Sequence, residues 1–482
     1  MQDMNNQLGK NSPLDYLFKV ERTNNLFDLR INGKRVWPRI RYQVSEHISS
    51  AKIDEEKNYL GSKRNLRIIS DLILLPIMLF RSIIQILFLG RDISNIIFLQ
   101  DDRFVNKDGN TVNQWLDPYI DHFINNDQFV LLANIPKERE RLFNNSKIVN
   151  LRPFYIVIKL VSYFDKFRNY DHSGVKKIQN LFNKKFSTKI SIMALISNHF
   201  FLDLRLEKFW VIILRKINPK NLIFVRGAPS PYLAKACNTN NVNLIEVQHC
   251  LISSMNINYY CHESLHPKIK FFLPNYIFTY GDFWKTQINL PIKSITAGYW
   301  YFHYLTKKSG RIKEKKKSII VISAKGTRDY LFKAAKILAK KNKDYTIYYK
   351  LRPDEYSYWR EIPVYADNDK PSNLIFLDDD SNIYNYFSEA GFTLSINSTM
   401  LYEASAMGSI GIVLEHGEYE ELEYLYQNNF AELIKLKDLE NLNLIHLKQR
   451  LTSIESTEFF SKPLIKEALE AISTYKGKEK TI

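Results

Sequence analysis

Three residues that could hold an anion, Asn397, Ser398 and Thr399, stand at the turn of the stretch Gly391–Glu415, GFTLSINSTMLYEASAMGSIGIVLE. Phe392–Ser395 reads as a short buried strand and Ile396–Asn397 as the turn after it. Ser398 or Thr399 can then cap a helix running through Met400, Leu401, Glu403 and Ala404. Gly408 suits the C-terminal cap, and Ile410–Leu414 reads as a second buried strand. A helix start of this kind offers free backbone N–H groups, hydroxyl donors and the positive end of a dipole, and phosphate is the ligand it suits best. The same hydroxyls cap helices that bind nothing, so the turn gains weight only from its neighbours.

Those neighbours are other strand ends. Ser318–Ser323 ends in Ala324-Lys325-Gly326-Thr327, and Tyr345–Leu351 ends in Arg352-Pro353-Asp354-Glu355. Lys325, Arg352 and the Ser398–Thr399 turn would line one rim as a convergent set of anion ligands. Earlier in the chain, Asn95–Gln100 runs into Asp101-Asp102-Arg103, Asn221–Val225 into Arg226-Gly227, and Val242–Val247 into Gln248-His249-Cys250. A histidine after a strand is often only a satisfied loop residue. The pair Gln248-His249, followed by the small-residue turn Ser253-Ser254, favours a functional role.

Other templates are excluded. No GxGxxG follows a strand, no GxxxxGK[ST] is present, and there is no HExxH or Cys/His metal cluster. Asp378–Asp380 could be a metal-binding D-x-D site, but a helix expected from Ser381 makes N-capping the better reading.

The elements that must position these residues follow from the pattern. A chain of 482 residues with a 45% hydrophobic fraction has room for two domains with real cores. Short apolar strands alternating with helices predict parallel sheets covered on both faces, with ligands gathered at the carboxyl ends of the strands. The expected fold is α/β, with two doubly wound Rossmann-like domains facing a cleft, helical N-terminal additions and a helical tail from Leu433. The divisions are 1–94 for the N-terminal arm and amphipathic segment, 95–305 for the first Rossmann-like domain, and 306–482 for the second with its closing helices.

Asn32-Gly33 predicts a hairpin, followed by a basic segment in which Arg35, Arg39 and Arg41 read as a solvated face or a headgroup site. Leu66–Leu89 is the most apolar stretch, but Asp71, Pro76 and Arg81 interrupt it. It therefore reads as a core helix pair or as an amphipathic segment lying on a bilayer, the latter favoured by flanking lysines and arginines. Residues 152–220 read as largely helical, with Phe154, Tyr155, Tyr163, Phe164 and Phe167 as packing. Cys237, Cys250 and Cys261 show no paired spacing, which suggests a reducing compartment, and the first twenty residues do not read as a signal peptide. The net charge of +17 calls for nucleic acid, an anionic membrane surface or phosphorylated substrates.

Two doubly wound units, the first ending strands in Arg226-Gly227 and Gln248-His249 and the second carrying Arg-Pro-Asp-Glu and later Ser-Thr, resemble the GT-B glycosyltransferases that build bacterial capsule, lipopolysaccharide and teichoic acid. In many of these a His-Pro dipeptide follows a strand of the second domain, and a Ser-Ser or Ser-Thr pair opens a later helix, both contacting the donor's phosphate. Ser398 and Thr399 match the second motif, and Arg352-Pro353 stands in the place of the first. The Asp/Glu-Asp/Glu-Gly motif of related sialyltransferases has no clean match, Asp101-Asp102-Arg103 being nearest.

The resemblance implies transfer from a nucleotide-sugar donor to a polysaccharide or lipid-linked acceptor, without a metal ion or other cofactor and with inversion. Lys325, Arg352, Glu355, Asn397, Ser398, Thr399 and Glu403 would serve the donor, Glu403 by reaching its ribose or base. Arg103, Arg226 and Gln248 would face the acceptor, and His249, Asp101 or Asp102 would be the base. The expected place is the cytoplasm, peripheral at the inner face of the plasma membrane. Alternatives are a cytidine-diphosphate polyol phosphotransferase of teichoic-acid type, and a non-catalytic nucleic-acid-binding protein. The latter is disfavoured because the basic residues are scattered and no RRM, KH or helix-turn-helix signature appears.

Overall fold

The structure, a computed structural model, describes residues 13–50, 61–90, 93–100, 103–124, 129–135, 148–165, 173–186, 190–225, 230–309, 315–324, 326–353, 355–366, 369–378 and 382–479. Asp101, Asp102, Arg226, Lys325, Phe167, Asp379 and Asp380 lie outside the described residues.

Seven parallel strands form the first sheet: β1 (Asn95–Leu99), β2 (Phe129–Ala133), β3 (Ile148–Asn150), β4 (Asn221–Val225), β5 (Asn243–Val247), β6 (Tyr276–Thr279) and β7 (Lys293–Thr296). They lie in the order β7-β6-β5-β4-β1-β2-β3. Ile96 sits between Val130 and Leu222 in register. Six parallel strands form the second: β8 (Lys316–Ile322), β9 (Thr346–Lys350), β10 (Leu374–Leu377), β11 (Ala390–Ser395), β12 (Ile410–Leu414) and β13 (Ala431–Ile434), in the order β10-β9-β8-β11-β12-β13. Runs such as NIIFL and IGIVL are buried at every residue, because helices cover both faces. The fold is the expected two-domain, Rossmann-like GT-B arrangement. In each sheet the strand order reverses about its first strand, between β1 and β4 and between β8 and β11, and such switch points open crevices above the carboxyl ends.

β3, β7 and β13 were not expected as strands. They are short edge strands of three or four residues with weak patterns of their own. β13 also takes the first residues of the expected helical tail.

The helices that bear on function are α1 (Gly61–Leu87), α2 (Arg152–Phe164), α3 (Phe201–Ile217), α4 (Arg328–Lys341), α5 (Ile383–Glu389), α6 (Thr399–Ala406) and α7 (Ile465–Glu479). α1 is one continuous helix with Pro76 inside it, not a pair. On α2, Phe154 and Tyr155 pack against Phe209 as expected, whereas Tyr163 and Phe164 are exposed. The hairpin forms at Asn32-Gly33, both with positive φ. Arg39 and Arg41 are neither solvated nor free for a headgroup. Arg39 is buried against Asp203 and Glu207, and Arg41 against Glu21 at 2.6 Å, so they tie the helix Trp37–Ser50 to the rest of the first unit. Arg35 donates to the Lys268 carbonyl at 2.7 Å.

The chain leaves the second unit along residues 458–462 and ends on the first. Ala468 and Ile472 of α7 join the core on one face of the first sheet, where α7 packs beside β7 and the helix Asp117–Phe123. On the way, Trp284 Nε1 donates to the Phe459 carbonyl at 2.7 Å and Tyr299 N–H to the Ser461 carbonyl at 3.0 Å. The approach is close enough that a Cβ on Gly281 would stand 2.3 Å from the Glu458 carbonyl oxygen, so only glycine fits there.

Candidate functional site

A cleft of about 610 Å³ lies between the carboxyl ends of the two sheets and draws its lining from both. The wall from the second unit begins at α6. Ser398 is extended, with φ −105° and ψ 133°, and its Oγ accepts the Met400 N–H at 3.2 Å, so it is the N-cap that the Ser-Thr pair predicts. Ser398, Thr399, Met400 and Glu403 all line the cleft. Glu403 is buried, and Tyr384 of α5 donates its hydroxyl proton to the carboxylate. Burial raises the Glu403 pKa, while the Tyr384 hydrogen bond and the charge of Arg103 pull it back.

Lys350, the last residue of β9, also lines this wall. Its stem is buried and its ammonium lies 4.7 Å from the Tyr356 ring centroid, donating to the Tyr356 hydroxyl. Sequence reasoning missed it by counting it as strand interior. A lysine inside a buried strand was the available signal, since such a residue is almost never fully buried without a partner.

The wall from the first unit is aromatic. Tyr280 and Tyr299 stack with centroids 4.0 Å apart, Trp115 Nε1 donates to the Tyr280 hydroxyl at 2.9 Å, and Gln114 Nε2 donates to the Tyr299 hydroxyl at 2.6 Å. Burial raises both phenols well above their ordinary range. His249 lines the cleft edge-on to Trp115, centroids 5.9 Å apart. Arg103 lines it too, just before the hairpin of Phe104–Lys107 and Asn110–Asn113. The hairpin and the tyrosines carried no motif, which is why sequence reasoning passed over them.

The structure thus brings together His249, Arg103, Ser398, Thr399 and Glu403. Others take different places. Gln248 is fully buried, its Oε1 accepting the Tyr280 N–H at 2.8 Å and its Nε2 donating to the Cys250 carbonyl at 3.1 Å. It braces the loop that carries His249 and does not face the cleft. Glu355 is also buried, 2.6 Å from Arg328 Nε, accepting from the Ser323 hydroxyl at 3.1 Å and from the Arg352 N–H at 2.8 Å. It clips the loops after β8 and β9 together instead of meeting a ligand. Asn397 Nδ2 donates to Glu418 Oε2 at 3.4 Å, and neither Asn397 nor Arg352 is among the described residues lining the cleft.

Asp378 accepts from Trp359 Nε1 at 2.8 Å, and the following helix is capped by Asn382, whose side chain accepts the Tyr384 N–H at 3.0 Å. The cap is therefore not an aspartate, and the helix starts two residues later than expected. Among the described residues no cluster of three His, Cys, Asp or Glu side chains could hold a metal ion.

No family model matches the chain, and no curated protein matches its sequence. Among solved structures it is similar to the UDP-GlcNAc 2-epimerase of Methanocaldococcus jannaschii in complex with UDP-GlcNAc and UDP, at 11% identity and a TM-score of 0.47, over 80% of this chain and 100% of that one. It is similar to Acinetobacter baumannii MurG at 10% identity and a TM-score of 0.42, over 79% of this chain and 99% of that one. It is also similar to the wall teichoic acid polymerase TagF at 10% identity and a TM-score of 0.41, over 87% of this chain and 97% of that one.

Proposed function

We propose that the protein is a glycosyltransferase that moves a sugar from a nucleotide-activated donor to a growing surface polysaccharide or a lipid-linked acceptor, working at the inner face of the membrane. One observation carries the reading. Across a single cleft, a helix start with two hydroxyls and a buried lysine faces a wall holding a histidine, an arginine and stacked tyrosines.

Ser398, Thr399, Lys350 and the first N–H groups of α6 suit a diphosphate, and Lys325, outside the described residues, remains a candidate for the same group from the sequence alone. As the bond from the anomeric carbon to the phosphate oxygen breaks, the electron pair goes to the leaving nucleoside diphosphate, whose charge this wall stabilises. The acceptor oxygen forms the new bond and gives its proton to a base of the first unit, for which His249 is the candidate and Asp101 and Asp102 are next. The outcome is inversion. Glu403 is placed to accept hydrogen bonds from donor hydroxyls.

A thermal-shift screen tests the reading. Stabilisation by nucleoside diphosphates supports it, stabilisation by cytidine monophosphate redirects it to another donor class, and stabilisation by RNA alone overturns it. Because the phosphate wall takes the part of a cation in this reading, activity should survive EDTA. Abolition by EDTA with rescue by manganese would count against it.

A further inference from the structure

From Ile73 onward α1 has two opposite apolar faces, and among the described residues only one of them is packed. Met78, Ser82 and Ile86, one turn apart, are buried against the sheet edge and α2. Ser82 Oγ donates to the Asn150 carbonyl at 2.7 Å and Gln85 Nε2 to the Ile148 carbonyl at 3.2 Å, which fixes the helix along β3. Half a turn away, Ile73, Ile77, Phe80, Ile84 and Leu87 repeat at spacings of four and three and look outward. With Phe88 their exposure runs from 37% at Ile84 to 85% at Phe88. The neighbouring α2 exposes Leu160, Tyr163 and Phe164 on its last turns. A helix face turned to water is ordinarily polar, and a patch of this extent marks an interaction surface.

Charge selects the occupant. From Ile73 to Gly90 and along α2 the sequence holds no Asp or Glu; its charged residues are Arg81, Arg152 and Lys159. Lys216 of α3 comes to the end of α1, donating to the Leu87 carbonyl at 3.2 Å. The acid that follows α2, Asp165, is buried in a pair with Arg205. An apolar centre with cationic edges attracts an anionic lipid surface and repels a second copy of itself. Among the described residues no helix is long and apolar enough to cross a membrane.

We propose that this face of α1, with the last turns of α2, docks the protein on an anionic bilayer. The apolar side chains enter the headgroup region while Arg81 and Lys159 meet lipid phosphates. The proposal stands apart from the transfer reaction, since vesicle binding needs neither nucleotide nor acceptor.

Flotation of the full chain with vesicles of phosphatidylcholine, alone or mixed with phosphatidylglycerol, tests it. The protein should float with the mixed vesicles and be released as salt rises. Ile77→Ser with Phe80→Ser and Ile84→Ser should weaken partition roughly tenfold or more while the melting temperature holds. Arg81→Gln with Lys159→Gln should weaken it about tenfold at low salt. Equal partition onto both vesicle types, absence of partition, or partition unchanged by the serine variant overturns the proposal. So does sedimentation showing a dimer that the serine substitutions dissociate.

Discussion

The two rims of the cleft are built on the same scaffold and present different side chains. Each stands above a parallel sheet whose first six strands run in the same order, and each places a switch point over the cleft. The second rim presents hydroxyls, a lysine and a helix start, while the first presents stacked tyrosines, an indole and an imidazole. Topology chooses where a ligand gathers, and the few side chains after each strand decide which ligand. The first rim is also braced from outside its own unit, because the Ser461 N–H donates to the Tyr280 carbonyl at 2.8 Å.

If the rims divide the work, binding and turnover should separate by side. His249→Ala should leave nucleotide affinity almost unchanged and lower turnover by roughly 10²–10⁴-fold. Nucleotide titration beside single-turnover kinetics reads both quantities. A fully active variant would hand the base role to Asp101 or Asp102.

The struts under the rims sharpen the contrast, since one is charged and the other neutral. Glu355→Ala takes the buried carboxylate from the half-buried Arg328, from the Ser323 hydroxyl and from the Arg352 N–H, and should cost about 3 kcal/mol or more in urea unfolding. Gln248→Ala leaves the Tyr280 N–H unmet and should cost about 1–3 kcal/mol. Equal losses would mean that the Arg328 pair is screened and that the two braces do not differ in kind.

On the second rim, Ser398→Ala with Thr399→Ala should weaken nucleotide binding and slow turnover together, each lost hydrogen bond to a charged phosphate being worth roughly 1.5–3 kcal/mol. Loss of the cap alone costs about 1 kcal/mol of stability, so thermal melts must accompany the titrations. Lys350→Met, which keeps the stem and removes the charge, should act in the same direction. Normal nucleotide binding by the double variant would reduce the turn to a well-capped helix.

The legible parts of the molecule were those with a local signature. Apolar runs bounded by turns showed most of the strands, and the Ser-Thr pair after Phe392–Ser395 showed a cap that the structure contains. What was not legible depended on distant partners. Arg39 and Arg41 look like a basic face until Asp203, Glu207 and Glu21 arrive from elsewhere in the chain. Glu355 looks like a ligand at a strand end until Arg328 and Ser323 close on it. The tyrosine wall has no motif, because stacking between Tyr280 and Tyr299 is a property of two loops meeting. Lys350 went unseen because a strand pattern says which residues are inside and nothing about what they reach.

A last contrast concerns a carboxyl group in the first unit, and it is read from a slope with pH. Glu246, in β5, is fully buried and its partner is the Tyr259 hydroxyl at 3.0 Å, where Glu355 has an arginine. Burial pushes the Glu246 pKa up from 4.5 to about 8, the tyrosine hydrogen bond opposing the shift. The folded protein therefore holds a proton that the unfolded chain has already released. The stability this contributes is fully present below pH 4.5 and drains away as pH rises through about 8. The slope approaches about 1.4 kcal/mol per pH unit between those limits. Asp117 and Asp203, both raised to about 6, drain in the same direction, so the readout is the difference between two proteins. Glu246→Gln keeps an acceptor for Tyr259 and cannot titrate, so its unfolding free energy should fall less steeply than that of the natural protein as pH rises. Parallel curves would mean that Glu246 is ionised in the folded state, and the contrast between a carboxyl held by a cation and one held by burial would fail.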